Sequence, residues 1–477
     1  MRLSRLIGKA ATKEWEDLDI TSIVSDTREA RAGAMFVARR GDRIDSHELV
    51  MEAYKRGARA FLVEREVFLP RDAAVIYSED STKYASELLL SLYGHPERRM
   101  KLIGITGTKG KSTVAAMLSE ALSKNGISNI AVGTLGVIGM EYPRRCENTT
   151  PDAFYLYPLL ALAARRGIRA VILEVSSQAL KKNRLWGLRF DCVALTSLGI
   201  DHIGEGEHED FFDYLASKRR LFSDFGAPIA VVNGDCALAG FMAGSVGKCI
   251  RCSIEGRGDV FAERIFEDEN GARFLFCGEE CRLSMCGGFN VMNALISSAI
   301  CNAVFSIPTS EAMRALATAK VAGRFEAFVK NGRRFVIDYA HNGMSIRAIC
   351  EAARAITDGR IIAVVGSVGG RSYERRADIG KAAERYADFT VITEDNPNWE
   401  PSISICADIH SAFRDKNRAR VVTDRREAIK YANSVARAGD TVLLLGKGHE
   451  KFQKIRGKAI PFSEKEVVYS LDSECRM

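Results

Sequence analysis

Apolar residues along the chain fall into two alternating rhythms. Leu102, Ile103 and Ile105 make a short continuous run, and Val114, Met117, Leu118, Ala121 and Leu122 follow at three- and four-residue intervals. The run reads as a buried strand and the spaced set as one face of a helix. The same exchange recurs at "KLIGIT", "AVILEVSS" and "FDCVALTSLG", and again at "RRFVIDYAH", "RIIAVVGSVGG", "FTVITEDNPN" and "DTVLLLGKGHE". Strands alternating with helices predict parallel sheets covered by helices. The first hundred residues also alternate short strands with helices and end in the polar stretch "YGHPERRMK". The expected fold is therefore α/β in three domains, 1–99, 100–325 and 326–477, the central one a P-loop ATPase-like parallel sheet and the last Rossmann-like.

Between the first strand and its helix lies "GTKGKST", residues 107–113. Gly107 and Gly110 allow backbone N–H groups to converge on phosphate oxygens, and the helix start adds unpaired donors and a favourable dipole. Lys111 suits the β and γ phosphates, and Ser112 suits Mg²⁺. The usual pattern places a glycine where Ile105 stands, with Gly104 one position too early, so the loop is a variant. Glu174 closes "VILEV" before Ser176 and Ser177, which puts a carboxylate at a neighbouring strand end as a candidate Mg²⁺ ligand. Asp201 and His202 close the next strand, and "HEDFFDYLASK" runs from acidic to helical. Open α/β sheets place their sites at such strand ends.

Composition narrows the partners. The 477 residues are 47% hydrophobic with a net charge of +7, a mild excess that suits anionic small substrates and does not require nucleic acid. Basic clusters at 371–376 and at Lys218, Arg219 and Arg220 read as solvated faces or phosphate contacts. No apolar run near 18 residues and no charged-then-apolar leader is visible, so the expectation is a cytoplasmic monomer without membrane insertion. Twelve cysteines are expected as reduced thiols. Cys249, Cys252, Cys277 and Cys281 imitate a zinc spacing, but the second pair is wide and the intervening segment reads as strands. The glycines at 366, 369 and 370 do not fit a dinucleotide fingerprint, which weighs against a nicotinamide enzyme.

Motifs spread over nearly the whole chain then converge. "SDTREARAGAMFVARRG" and "DSH", then "GTKGKST", "NTTPD", "EVSSQAL", "DH" and "SKRRLF", then "GFNVMN", "GRFE", "DYAHN", "EDNPN" and "GKGHE" together resemble the Mur ligases, most closely those adding the third residue of the peptidoglycan stem peptide. The resemblance implies an acyl-phosphate mechanism. ATP phosphorylates a substrate carboxylate, an amine attacks it, and phosphate leaves as an amide forms. It implies ATP contacts from Gly107, Thr108, Lys109, Gly110, Lys111, Ser112, Thr113, Asn290, Asn293, Arg324, Asp338, Tyr339 and His341, with closure of the domains excluding water from the acyl phosphate. Ser112, Glu174, His202 and Lys218 would hold Mg²⁺, and Lys111, Lys218, Glu174 and His202 would be the catalytic set. Lys218 matches a carbamylated lysine. A bare ammonium about 4 Å from a divalent ion would be repelled by several kcal/mol, whereas a carbamate would be a ligand.

For the UDP-N-acetylmuramoyl dipeptide, the resemblance assigns Thr27, Arg28 and His47 to the uridine end and Thr149, Thr150, Ser177 and Arg184 to the muramoyl peptide. Arg376, Asp395, Asn396, Asn398, Gly446 and Glu450 would receive the amino acid. Departures from the pattern fall at Lys109, Gln178, Lys182 and Gly343, and in the spacing of His202 from His208. In "DNPN", Asn398 stands where diaminopimelate-adding relatives carry a carboxylate-pairing arginine, which favours L-lysine while leaving meso-diaminopimelate open. Two other classes share parts of the pattern: an amide ligase of folylpolyglutamate or cyanophycin type, which should lack the motifs of residues 25–47, and a non-catalytic binding protein of Mur descent.

Overall fold

Four short apolar runs become the first sheet of the computed structural model, which describes residues 1–8, 18–41, 44–144, 148–199, 204, 208–256 and 258–471. Strands β1 (Ser22–Val24), β2 (Ala34–Val37), β3 (Ala60–Val63) and β4 (Ala74–Tyr77) lie parallel in that order. Every residue of β2 and β3 is buried, the expected state of a parallel sheet covered on both faces.

The second sheet is built around the phosphate loop. Its strands are β5 (Lys101–Thr106), β6 (Asn129–Gly133), β7 (Gly136–Ile138), β8 (Ala170–Glu174), β9 (Cys192–Leu195), β10 (Ile229–Asn233) and β11 (Lys248–Ser253), in the order β11-β10-β9-β5-β8-β6-β7. Strand β5 pairs in parallel with β8 on one side and β9 on the other, with Ile105 opposite Glu174 and Thr106 opposite Leu195. That register brings the ends of three strands together at the loop. Met1–Arg251 with Ile300–Ser306 form one compact unit. Within it Leu88 and Leu89, from the helix Ser81–Leu92, share a core with Leu102, Val171 and Val193.

Cys252–Ala299 with Ile307–Met477 form a second unit. Strands β12 (Val260–Asp268), β13 (Gly271–Phe276) and β14 (Glu279–Leu283) make an antiparallel meander. Strands β15 (Glu326–Lys330), β16 (Arg333–Asp338), β17 (Ile361–Val365), β18 (Phe389–Ile392), β19 (Ala419–Val421) and β20 (Thr441–Leu445) form a sheet ordered β15-β16-β20-β17-β18-β19, parallel except for β15. Its alternation is direct: Ile361, Ala363 and Val365 enter one core with Ile349, Ile379 and Ile405, while Ile362 and Val364 enter another with Ile429 and Val467. A hairpin, β21 (Phe452–Ile455) and β22 (Lys458–Pro461), follows. The parallel sheets with helices between their strands give the α/β class expected from the alternation.

One expectation is corrected. The helix Gly288–Phe305 is 18 residues long and apolar enough to cross a membrane by length and composition, although asparagines and serines interrupt its apolar run. Two thirds of it, 67%, is buried inside the protein, as in a core helix. The four cysteines with zinc-like spacing lie on or between β11, β13 and β14, in no disulfide, and among the described residues no group of three or more His, Cys, Asp or Glu is arranged to hold a metal.

Candidate active site

The loop between β5 and the helix Lys111–Lys124 is fixed by close packing. Gly107 has φ 151°, and a Cβ there would stand 2.0 Å from Thr196 Oγ1, so only glycine fits. Gly110 caps the helix in the left-handed region. The N–H of Lys109 donates to Ser197 Oγ at 2.9 Å, and Thr108 Oγ1 meets Tyr214 Oη at 2.9 Å. Lys111 Nζ folds back on the carbonyls of Gly107 (2.8 Å) and Thr108 (3.2 Å). Gly104, the early glycine of the sequence pattern, lies inside β5, where a Cβ would press on Phe190 and Leu221 at 3.1 Å. It is a packing residue, and the working loop begins at Gly107.

Ser112 Oγ donates to Glu174 Oε2 at 2.9 Å, with both side chains buried. Thr134 completes the carboxylate's surroundings, its N–H donating to Oε1 at 3.0 Å and its hydroxyl to Oε2 at 3.1 Å. A Cβ on Gly133 would lie 2.1 Å from Glu174 Oε1, so this glycine shapes the cradle. Lys218 is 2% exposed, donates to the Gly107 carbonyl at 3.0 Å and lies over the Tyr214 ring at 4.6 Å. Residues from β5, β6, β8 and the helix Phe211–Ser223 therefore meet at one place. Thr134 and Tyr214 were missed in the sequence, because only sheet order brings β6 beside β8. Asp201 and His202 lie outside the described residues.

The candidate acceptor residues continue from this centre. Thr134 Oγ1 meets Thr149 Oγ1 at 3.1 Å, Thr150 Oγ1 donates to the Glu174 carbonyl at 2.8 Å, and Arg184 Nη1 donates to the Thr150 carbonyl at 3.0 Å. His208 links Ser177 Oγ, 2.9 Å from Nε2, to Asp213 Oδ2, 3.0 Å from Nδ1. Burial pushes its imidazole below the ordinary range; a neutral ring that donates from Nδ1 accepts from Ser177. Lys181, with His208, holds the Asp213 carboxyl at about 2.

The uridine-end candidates sit on two short turns of the first sheet, Thr27–Glu29 and Ser46–Leu49. Arg28 is exposed and paired with Asp26, and Thr27 is buried. His47 is buried; its Nδ1–H donates to Asp45 at 2.6 Å and its Nε2 accepts from the Glu64 N–H at 2.9 Å, so both ring nitrogens are bonded within this unit.

In the second unit, Asp338 Oδ2 accepts the Phe325 N–H at 2.7 Å, and the Arg324 guanidinium stacks over Tyr339 at 4.7 Å. Tyr339 also meets His341 edge-on at 5.0 Å, and burial raises its phenol to about 12. Asn293 Nδ2 donates to Asn290 Oδ1 at 3.3 Å on the helix Gly288–Phe305. These six candidates thus fall into two contact groups.

The amino-acid candidates gather at the ends of β18 and β20. Asn396 Nδ2 donates to Glu450 Oε2 at 2.9 Å, and a Cβ on Gly446 would stand 3.0 Å from Asp395 Oδ2. The main chain of Asn398 bonds to the hairpin, its N–H donating to the Lys454 carbonyl at 2.9 Å. Arg376 is 4% exposed, and its terminal nitrogens donate to Glu400 at 2.6 Å and Asp408 at 2.8 Å. Lys447, which sequence reasoning passed over within "GKGHE", is wholly buried among these residues.

A variant phosphate loop on a parallel sheet, with a buried carboxylate bonded to its serine, is the working end of a P-loop nucleotide enzyme. Residues 105–301 match the Mur ligase middle domain, and residues 323–448 match the Mur ligase glutamate ligase domain. The chain is 35% identical to the UDP-N-acetylmuramoyl-L-alanyl-D-glutamate–2,6-diaminopimelate ligase of Caldanaerobacter subterraneus, covering 99% of each. It is 34% identical to the enzyme of that name from Aquifex aeolicus, covering 94% of this chain and 93% of the relative. A solved structure of a ligase of the same name is similar over 100% of both chains at 25% identity, with a TM-score of 0.69. The chain belongs to the Mur ligase family, in its tripeptide-synthetase group, and is an ATP-dependent ligase that forms a peptide bond.

Proposed function

We propose that the chain couples ATP cleavage to amide formation between a carboxylate of UDP-N-acetylmuramoyl-L-alanyl-D-glutamate and a diamino acid, a cytoplasmic step of peptidoglycan precursor synthesis. The observation that carries this reading is the bond from Ser112 to the buried Glu174 beside Lys111. The serine hydroxyl and the carboxylate are hard oxygen donors that suit Mg²⁺, which when bound would neutralise developing phosphate charge. Lys111, bonded here to the loop carbonyls, would swing to the transferring phosphoryl group and stabilise its negative charge. Phosphoryl transfer to the carboxylate gives the acyl phosphate; the amine's lone pair attacks its carbonyl carbon, the carbon–oxygen bond to phosphate breaks, and the amine proton is lost.

Lys218 fits this chemistry as a carbamate. Its ammonium would lose one proton to give the amine, whose lone pair adds to CO₂ with loss of a second proton, turning a buried cation into a carbamate anion beside the loop. Thr149, Thr150, Ser177 and Arg184 would line the path of the acceptor peptide, with Thr27 and Arg28 at the uridine end. Asn290, Asn293, Arg324, Asp338, Tyr339 and His341 would serve the nucleotide, and the boundaries near 99 and 325 would separate the three roles.

Two observations bear on the amine. The relatives' names favour 2,6-diaminopimelate, whereas the neutral Asn398 favours L-lysine, because it cannot pair with a second carboxylate. Phosphate release with ATP, Mg²⁺ and UDP-N-acetylmuramoyl-L-alanyl-D-glutamate, with lysine, ornithine and diaminopimelate supplied separately, decides between them. Coupling of one diamino acid is expected, and release with none of the three overturns the function.

A further inference from the structure

Lys447 is a wholly buried ammonium placed among the residues read as the amino-acid site. It follows Gly446 at the end of β20, and its Nζ donates to Asn396 Oδ1 at 2.8 Å and Glu450 Oε2 at 2.6 Å, with Asp395 Oδ1 at 3.5 Å. A buried cation persists only when paired and hydrogen-bonded; here two carboxylates and an amide meet that need.

The cluster is braced from behind. Arg425 is also wholly buried, pairs with Glu464 at 2.6 Å, and donates to the carbonyls of Glu394 at 3.1 Å and Leu445 at 2.7 Å. Those residues immediately precede Asp395 and Gly446, so one guanidinium fixes both strand ends. Gln453 Nε2 donates to the Asp395 carbonyl at 3.0 Å, and the Lys454 N–H to Asn396 Oδ1 at 2.9 Å. Asn396 Oδ1 and Glu450 Oε2 each thereby accept two internal donors. Asp395 differs: it is 2% exposed, and its Oδ1 accepts no well-formed hydrogen bond among the described residues, facing only the Lys447 ammonium at 3.5 Å. A buried carboxylate oxygen with such a long ion pair has acceptor capacity left for a further donor.

Resting on the amino-acid site proposed above, we infer that Lys447 is a positioning residue for the incoming diamino acid. Its ammonium bonds Asn396 and Glu450 tightly and faces Asp395 Oδ1 only at 3.5 Å, so that Asp395 Oδ1 keeps acceptor capacity for the substrate's ammonium. With two carboxylates and one ammonium, the pocket keeps a single negative charge, matched to one cationic group. Without Lys447, two like charges would share a dry site, and one carboxylate would take up a proton. The groups facing this cluster are Asp395, Glu450, Arg425, Glu464 and Tyr339.

The test varies each substrate in turn in the phosphate-release assay. Lys447→Met should raise KM for the coupled diamino acid roughly tenfold or more, leave KM for ATP and the UDP-substrate within about twofold, and move the acidic limb of kcat/KM for the amine to higher pH. Millimolar propylammonium should restore part of the loss by refilling the cation's place. Lys447→Gln keeps a donor in the same space without charge and should show the same amine-specific rise; it is the variant read if the methionine form does not melt cooperatively. An unmoved amine KM in a folded variant, or equal rises for all three substrates without rescue, overturns the inference alone. Failure of the unsubstituted enzyme to couple any amine overturns the proposed function, and this inference with it.

Discussion

Lys218 shows what a residue's neighbours add to its identity. In the sequence it stands in a basic run with Arg219 and Arg220; in the structure it is buried against the phosphate loop and the Tyr214 ring. Lys218→Ala should abolish turnover, and a small carboxylate such as formate should restore part of it, measured as phosphate release; full activity in the variant would remove the carbamate. The pairing of Ser112 with Glu174 was legible from motif and strand end, since both residue types and both positions point to one metal-and-phosphate chemistry. The bonds from His47 to Glu64 and from Arg376 to Glu400 and Asp408 were not, because these partners lie 17, 24 and 32 positions away and carry no local signature.

The loop-and-helix element owes its shape to what lies against it. Gly107 needs both its positive φ and the space that Thr196 Oγ1 closes off. Gly107→Ala should cost about 1–3 kcal/mol from backbone strain alone, seen as a lower thermal midpoint and a raised KM for ATP. Adding Thr196→Ala should return part of the midpoint, since one of the contacts is removed; a double variant no better than the single would place the strain elsewhere. The strand-glycine-helix order was readable from hydrophobic rhythm. Which glycine works was not: spacing singled out Gly104 as irregular, and packing against Phe190 and Leu221 accounts for it.

For the molecule as a whole, acid stability follows from carboxylates distant from one another. Hydrogen bonding by His47 holds Asp45 at about 2, and hydrogen bonding by Lys181 holds Asp213 at about 2, against an ordinary value of 3.8. Each folded-state value lies below the unfolded one, so its stabilisation is present above about pH 4 and is lost as pH falls toward 2. Both side chains are partly open to solvent, which limits the size of each effect. The thermal midpoint should fall between pH 5 and pH 2.5, and Asp213→Asn should flatten that fall; an unchanged slope would show that other groups govern it.

The sequence by itself determined the element types, the α/β class, the phosphate loop and the family, because hydrophobic period and glycine–lysine–serine chemistry are local and survive without coordinates. Tertiary structure alone decided which strand ends meet. The parallel register of β5 with β8 puts Glu174 at the loop, β6 beside β8 brings Thr134 to the same carboxylate, and β20 beside β17 brings Lys447 to the cluster at the end of β18. Such pairings join residues far apart in the chain, and their energy lies in burial and hydrogen bonds that no single stretch contains.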